Sequence, residues 1–244
     1  MPAAALPHST TSPPGLTVVL GAGGGLGMAL VGVLCQQGRP VLGLGRGSQP
    51  TLDYLLPDSI ALAAAHVKHY CTTQNVVLRQ LIVATGYLHG PAPLAPERSW
   101  AQIDPVYLQQ VFAINTLGPA LVIKHFFPLL PRYGSCAAAF LSAKVGSVGD
   151  NALGGWYGYR AAKAALNQLV KTASIELTRH NRTSLCVALH PGTLDTALSR
   201  PFAKTGLRVR PPDVAARNLI DVLQALQPAD TGGFYDYAGQ RLPW

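Results

Sequence analysis

LTVVLGAGGGLGMALVGVLC, residues 16–35, is the stretch of this sequence that decides the fold. Its twenty residues carry no charge, which is typical of a transmembrane helix. Three consecutive glycines, Gly23 to Gly25, argue against that interpretation. Each costs about 1 kcal/mol relative to alanine in a water-exposed helix, whereas a turn with positive φ angles accepts glycine readily. The segment also lacks the Lys, Arg and aromatic flanks of a membrane helix. We therefore predict a buried strand, a glycine-rich turn and a helix, and no membrane partner.

Strands and helices alternate along the rest of the chain. Apolar runs predict further strands at 39–45, 79–86, 136–142 and 183–192. Helical patterns run from Pro105 to Leu130, from about Gly155 to His180, and within 211–226. This alternation predicts an α/β fold: a Rossmann-type, doubly wound parallel sheet with helices on both faces. Between Arg46 and Leu81 we expect one more strand and two covering helices, the second of them shortened.

The composition is that of one soluble domain. The chain has 244 residues, of which 48% are apolar and 12% charged, a balance typical of a sheet that is buried on both faces. Four cysteines without a C-x-x-C pair indicate a reducing compartment, so we expect a cytoplasmic protein. Residues 1–15 contain four prolines and no Lys or Arg, and we interpret them as a disordered tail before a single domain at 16–244.

The net charge of +8 raises the question of a nucleic-acid partner. The 19 Lys and Arg residues are dispersed, and no basic run with interleaved aromatics occurs, so we expect none. One basic cluster consists of Arg200, Lys204, Arg208 and Arg210. We predict that it forms a mobile lid. His66 and His69 lack further ligands at metal spacing, and we expect no metal site.

Two motifs indicate chemistry. Gly21, Gly25 and Gly27 form a G-x-x-x-G-x-G turn between a strand and a helix, where backbone N–H groups and the helix dipole can bind a pyrophosphate. The same glycines would also suit tight packing of the helix on the strand. Tyr159 and Lys163 lie four residues apart on a predicted helix and therefore share a face. An adjacent ammonium lowers a tyrosine pKa, so Tyr159 is a candidate general acid or base, although an ordinary exposed pair has the same spacing.

Together these pieces resemble the short-chain dehydrogenase/reductase family over residues 16 to 244. The resemblance rests on GAGGGLG after the first strand, ATG at 84–86, Asn115 in AINTLGP, YRAAK at 159–163 and PGTLDT at 191–196. Two longer strings, LSAKVGSVGDNALGGWYGYRAAKAALN and VALHPGTLDTALSRPF, look like a bacterial branch that includes the C-factor-like proteins.

The resemblance implies roles for individual residues. Tyr159 would protonate the substrate carbonyl, Lys163 would hold the nicotinamide ribose, and Asn115 would keep a kinked helix open for a proton path. The remaining nucleotide-binding positions would be Gly21, Gly25, Leu26, Gly27, Ala84, Thr85, Gly86, Pro191, Gly192 and Thr196. Ala84 replaces the asparagine that is usual in the family, which puts adenine-side contacts there in doubt.

The catalytic serine departs from the family pattern. Aligning Gly146 with the family's glycine places Ala143 where the serine usually stands, with Ser142 one residue earlier and Ser147 later. We favour Ser142 as the catalytic serine; Ser147, or no serine at all, are the alternatives.

The end of the second strand predicts the cofactor. Folds that prefer NAD place an acidic residue there, but this chain has Gly45 followed by Arg46, and an arginine suits a 2′-phosphate. NADP(H) is therefore the expected cofactor, with Ser48 as an additional candidate contact.

Two functions follow as hypotheses. The first is an NADP(H)-dependent oxidoreductase that acts on a small-molecule carbonyl or alcohol, working as a homodimer or homotetramer through its two long helices, as the family does. The alternative is a nucleotide-binding regulatory or signalling module that kept the fold and little chemistry. Loops near 87–100 and 197–211 are expected to form the substrate pocket.

Overall fold

The computed structural model describes residues 13–91, 94–202 and 209–244. Residues 1–12 of the predicted tail, and Lys204 and Arg208 of the predicted lid, lie outside these ranges. The first strand begins at Gly15, within the 13–91 segment. The uncharged stretch 16–35 forms this strand, a turn and most of a helix, as predicted.

Six parallel strands form one sheet, in the spatial order β2-β1-β3-β4-β5-β6. The central strands are strongly apolar because helices cover both faces of the sheet there. The strands are β1 (Gly15–Leu20), β2 (Val41–Leu44), β3 (Val77–Val83), β4 (Cys136–Leu141), β5 (Ser184–His190) and β6 (Phe234–Asp236). The predicted doubly wound parallel sheet is confirmed.

The helices divide between the two faces of the sheet. They are α1 (Gly25–Gln36), α2 (Pro57–Thr73), α3 (Pro105–Phe112), α4 (Gly118–Phe126), α5 (Tyr157–His180) and α6 (Pro212–Ala225). One apolar core joins α1 and α6 to the sheet, with Leu30 and Leu219 as members. A second core on the opposite face contains Ile60 of α2, Phe126 of α4 and Leu166 of α5.

The prediction of an extra strand and two helices between Arg46 and Leu81 is wrong. Every residue of this segment is described, and it contains the single 17-residue helix α2 followed directly by β3. Residues 57–73 include four alanines, which favour a helix, and they contain no β-branched run with turn residues from which a strand could form. As a result β2 is an edge strand.

The predicted helix from Pro105 to Leu130 is present but irregular. Helices α3 and α4 are joined by one π-helical turn, Ala113–Leu117, and a short 3₁₀ turn ends the segment at Leu129. By length and composition Pro105–Leu129 could cross a membrane. In this fold the segment packs into the core, where its Val111 and Phe126 are completely buried.

The turn after β1 is held by backbone contacts that only glycine permits. A Cβ on Gly27 would lie 2.1 Å from the carbonyl oxygen of Gly21, and Gly21 itself has φ of +88°. The turn is further fixed by the Gly21 N–H, which donates to the Leu44 carbonyl at 2.8 Å. These contacts bring α1 directly onto the end of β1.

We predict that Gly27→Ala destabilises the protein by about 1–3 kcal/mol, the usual cost of overpacking a close contact. Gly32 is the matched control, because it lies exposed on the same helix and a Cβ there would meet no atom within 4 Å. Gly32→Ala should leave stability unchanged or raise it by about 1 kcal/mol. Urea unfolding measures both changes, and equal effects of the two variants would contradict this account of the turn.

Candidate functional site

A cleft runs along the carboxyl ends of the strands, where parallel α/β sheets place their ligand sites. Its main part has a volume of about 890 Å³ and extends from the glycine turn to α5 and the loop after β5. A smaller pocket continues it toward the end of β2 and shares Gly23, Arg46 and Thr85 with it. Most of the predicted site residues therefore line one continuous groove, and Asn115 and Gly192 lie beside it.

The glycine turn forms the centre of this groove. Gly24 precedes α1 without a side-chain cap, so no side chain occupies the N–H groups of the first turn. A Cβ on Gly23 would meet only open space. Gly25, Leu26 and Gly27 line the main cleft, and Gly21 lines the smaller pocket. The helix N-terminus is thus open toward the groove, as the binding of an anion requires.

The end of β2 places Arg46 at the rim of both parts of the groove. Arg46 is exposed and forms no ion pair with the described residues. The Ser48 hydroxyl accepts from the Gly45 N–H at 3.0 Å and donates within the same turn, so it shapes this turn. A contact of Ser48 with the cofactor stays a prediction.

The segment after β3 lies opposite the glycine turn. Ala84, Thr85 and Gly86 all line the groove, and the Ala84 N–H donates to the Leu20 carbonyl at 2.7 Å. The Tyr87 hydroxyl oxygen is buried without a hydrogen-bond partner in the described residues, and the Thr85 hydroxyl lies close to that of Tyr54. Both hydroxyls belong to residues that line the groove, where a polar ligand would find them available.

Asn115 lies in the π-helical turn, just below the groove. Its amide donates to the carbonyls of Val111 at 3.0 Å and Tyr87 at 2.7 Å, and its oxygen accepts from the Tyr87 N–H at 3.1 Å. The side chain replaces a regular helical bond and ties the helix to the segment after β3. Asn115 is 1% exposed and does not itself line the groove.

Tyr159 and Lys163 lie side by side on α5 and both line the cleft. They are 7% and 2% exposed, and the Lys163 Nζ lies 5.8 Å from the centre of the Tyr159 ring. The Lys163 ammonium donates to the Leu141 carbonyl at 2.8 Å. Two residues earlier, Tyr157 is 38% exposed, so the two tyrosines point in different directions.

The Tyr159 pKa is raised in this structure, whereas we expected the neighbouring Lys163 to lower it. Desolvation raises the pKa of the Tyr159 phenol well above its ordinary value and lowers the pKa of Lys163 to about 7. Both shifts have the same cause: burial removes the water that would solvate the charged form of each group. The expectation that Lys163 depresses the Tyr159 pKa is therefore not met in this structure.

The two candidate serines have different surroundings. Ser142 follows β4 and lines the cleft, but its hydroxyl donates to the Asn167 side-chain oxygen at 2.6 Å. Ser147 lies outside the cleft, with its hydroxyl donating to the Trp244 carbonyl at 3.2 Å. Only Ser142 is brought near Tyr159 and Lys163, and its proton is directed toward Asn167.

The loop after β5 closes the far end of the cleft. Pro191 and Thr196 line it, and Thr196 packs so closely on α1 that a Cβ on Gly25 would lie 2.9 Å from its methyl group. Gly192 does not line the cleft; it lies beside Arg210 and Tyr237.

Two members of the predicted lid are described. Arg200 pairs with Asp195 at 3.1 Å, and the Arg210 guanidinium stacks on Tyr237 with its carbon 3.4 Å from the ring centre. Each of these two arginines therefore already has a partner in this structure, Asp195 for Arg200 and Tyr237 for Arg210.

Sequence reasoning missed an aromatic cluster next to Tyr159. The Phe202 ring lies 5.3 Å from the Trp156 ring and 5.4 Å from the His89 ring, in edge-to-face contacts. The Trp156 ring is also 6.1 Å from the Tyr159 ring. These residues come from three separate loops, and no spacing in the sequence relates them.

The residues present fit a dinucleotide. The open N-terminus of α1 suits a pyrophosphate, the hydroxyls of Thr85 and Tyr87 suit polar ring or ribose groups, and Arg46 suits a further anion. No group of three His, Cys, Asp or Glu residues that could bind a metal occurs within 13–91, 94–202 and 209–244.

Comparisons with known proteins agree with this geometry. The family model described as short chain dehydrogenase matches residues 16–206. The C-signal protein of Myxococcus xanthus is 33% identical over 142 residues, which cover 58% of this chain and 81% of that protein. Two further curated relatives with oxidoreductase or dehydrogenase names are matched over 60% and 61% of their own length.

Solved structures show the same fold. The NADPH-bound carbonyl reductase from chicken fatty liver superimposes with a TM-score of 0.81 at 24% identity, covering 97% of each chain. A Burkholderia multivorans short-chain dehydrogenase/reductase with bound NADP gives a TM-score of 0.74 at 26% identity and covers 95% of this chain and 100% of that one. The resemblance predicted from the motifs is confirmed, and the similarity to C-signal agrees with the predicted C-factor-like branch. The chain belongs to the short chain dehydrogenase family.

Proposed function

We propose that this protein is an NADP(H)-dependent oxidoreductase that interconverts a carbonyl compound and the corresponding alcohol, with Tyr159 as the general acid or base. The observation that carries the proposal is the buried Tyr159–Lys163 pair, which opens onto the same groove as the glycine turn. Family membership supports an oxidoreductase in general.

The residues of the chain have distinct parts in this reaction. When bound, NADPH would supply the hydride. Tyr159 donates its proton to the carbonyl oxygen. Burial raises the Tyr159 pKa and so disfavours the phenolate, which means that Lys163 and the bound ligand must stabilise the phenolate as the proton leaves. Lys163 holds the ribose through its ammonium and assists the Tyr159 phenolate that proton transfer leaves behind. Asn115 maintains the π-helical turn beside them.

NADP(H) is favoured over NAD(H) by charge at the end of β2. Arg46 is exposed at the rim of the groove beside Gly45, where NAD-preferring folds place an acid. A related structure, the Burkholderia multivorans enzyme, contains NADP. In the bound state the Arg46 guanidinium would pair with the 2′-phosphate.

The substrate end of the cleft favours an apolar carbonyl compound. Trp156, Phe202 and His89 form an aromatic cluster next to Tyr159, of which His89 lines the cleft, and the His89 Nε2 lies 3.1 Å from the Ala197 carbonyl oxygen. Aromatic diketones and aldehydes are therefore the assay substrates we choose.

One observation favours the alternative, a nucleotide-binding signalling module. Ala143 stands where the family has its serine, and the neighbouring Ser142 directs its proton to Asn167. The matched relative from Myxococcus xanthus is named C-signal. Turnover by the wild-type protein distinguishes this candidate from the enzyme.

We propose in addition that the chain is cytoplasmic and forms a homodimer or homotetramer through its long helices. The α3–α5 region carries exposed apolar side chains in support, since Val106, Leu117 and Ile175 are 60%, 59% and 45% exposed.

Tyr159→Phe should lower kcat with the diketone panel by about 10²–10⁴-fold, because the variant cannot donate the proton. NADPH affinity should change little, since the phenol oxygen is not needed to hold the nucleotide. Tyr157→Phe is the matched control and should retain activity, as Tyr157 points away from Lys163. Stopped-flow and steady-state NADPH oxidation measure these rates, and a fully active Tyr159→Phe protein would eliminate the assigned role.

Wild-type protein should bind NADPH more tightly than NADH by about tenfold or more, the value of a charge-assisted hydrogen bond. Arg46→Asp should reverse this preference. Arg132→Asp is the control, because Arg132 is an exposed arginine between α4 and β4, at the opposite end of the sheet. Isothermal titration calorimetry with both nucleotides decides the matter, and equal wild-type affinities would refute the assignment of Arg46.

NADPH affinity should fall as pH rises above 7. The pKa of Lys163 is lowered to about 7 by burial, and the negative charge of the bound nucleotide raises it again, so binding at higher pH must take up a proton. The dissociation constant should then rise by up to about tenfold per pH unit between pH 7.5 and 9. Calorimetry in buffers of different ionisation enthalpy detects the proton uptake, and Lys163→Met should abolish it. A pH-independent wild-type affinity would contradict this linkage.

A further inference from the structure

Glu97, in the loop between β3 and α3, is a buried carboxylate with no cationic partner. It is 2% exposed, and none of the ion pairs among the described residues includes it. Burying an unpaired charge costs several kcal/mol unless hydrogen bonds compensate for lost water. The partners of this carboxylate therefore indicate what it does.

Both carboxylate oxygens of Glu97 accept from one backbone group, the Gly158 N–H, at 3.1 and 3.2 Å. The Glu97 carbonyl also accepts from the Trp156 N–H at 2.6 Å. Gly158 lies in the first turn of α5, directly before Tyr159. One residue from a distant loop thus engages two N–H groups at the start of the helix that carries Tyr159.

Helix α5 has no other cap of this kind. Its N-terminal flanking residue is Trp156, which makes no side-chain capping bond, and its first turn contains no acidic residue. A negative charge is most stabilising at a helix N-terminus, where the N–H groups are unpaired and the dipole is positive. Glu97 supplies that charge from outside the helix.

The local sequence is adapted to this contact. A Cβ on Gly158 would lie 2.8 Å from the Leu108 Cδ2 and 3.1 Å from the Glu97 Oε1, so a glycine here lets both α3 and the carboxylate approach. Gly154, Gly155 and Trp156 all have positive φ angles, of 65°, 66° and 53°. A non-glycine residue in this conformation persists only where its surroundings hold it, and here Glu97 binds the Trp156 N–H.

We propose that Glu97 is a positioning residue for Tyr159: it fixes the first turn of α5, and through it the phenol and the neighbouring Trp156 ring, relative to the cleft. This inference rests on the proposed function. Misplacing a catalytic group by about 1 Å costs about 10²-fold in rate, so a loosened first turn is expected to reduce turnover strongly.

The test compares Glu97→Ala with Glu97→Gln in the full-length protein. Glu97→Ala should lower kcat by about 10- to 100-fold while the Kd for NADPH stays within about twofold. Glu97→Gln should recover part of kcat, because its amide oxygen still accepts from the Gly158 N–H. Asp104→Ala is the matched control: Asp104 caps α3 by accepting from the Tyr107 N–H at 2.8 Å, so its loss removes a cap from the neighbouring helix and leaves the Glu97 bonds to α5 in place.

A second measurement is independent of activity. Hydrogen exchange of the amides in residues 156–160 should accelerate in Glu97→Ala, accelerate less in Glu97→Gln, and remain unchanged in Asp104→Ala. Unchanged exchange and kcat in Glu97→Ala would overturn the inference, as would a loss of kcat in Asp104→Ala as large as that in Glu97→Ala. If the wild-type protein turns over none of the panel, the proposed function fails, and faster exchange in Glu97→Ala would still support the role of Glu97 in ordering α5.

Discussion

The direct approach of helix α1 to the turn after β1 is the contact on which the rest of the site depends. It exists because Gly27 has no side chain, so the helix backbone can lie against the Gly21 carbonyl. The same contact leaves the N-terminus of α1 uncapped and facing the groove. A larger residue would separate helix and strand, and the N–H groups would then lose their alignment with the segment after β3 on the other side of the groove.

Much of this fold follows from the sequence because strong local patterns act independently. The glycine turn, the apolar strands and the Tyr159–Lys163 spacing each require one local geometry, and the structure contains all three. The segment after Arg46 is harder to predict, since its alanines favour a single long helix while the alternation of strands and helices elsewhere in the chain favours an additional strand. Tertiary contacts that no spacing encodes, such as those of Glu97 with Gly158 or of Phe202 with Trp156, become visible only in three dimensions.

Burial affects the protonation of Tyr159 and Lys163 more than the closeness of the two side chains does. The Lys163 ammonium has three N–H donors, and a single bond, to the Leu141 carbonyl, is formed with the described residues. Tyr159 gains no hydrogen bond that would favour its phenolate. Desolvation therefore dominates the pKa of both groups until a ligand supplies charge and acceptors. Sequence spacing identifies such a pair, but only burial reveals in which direction each group is shifted.

The position of β2 at the edge of the sheet also bears on how copies of the chain can associate. Strand β2 is only four residues long and follows Pro40, and at the opposite edge the three-residue strand β6 is partly covered by an antiparallel bridge from Tyr235 to Arg241. Short, interrupted edges offer few unpaired backbone groups to another sheet, which protects against edge-to-edge aggregation. In the proposed homo-oligomer, a second copy of the chain would therefore meet helix surfaces and not an extendable sheet.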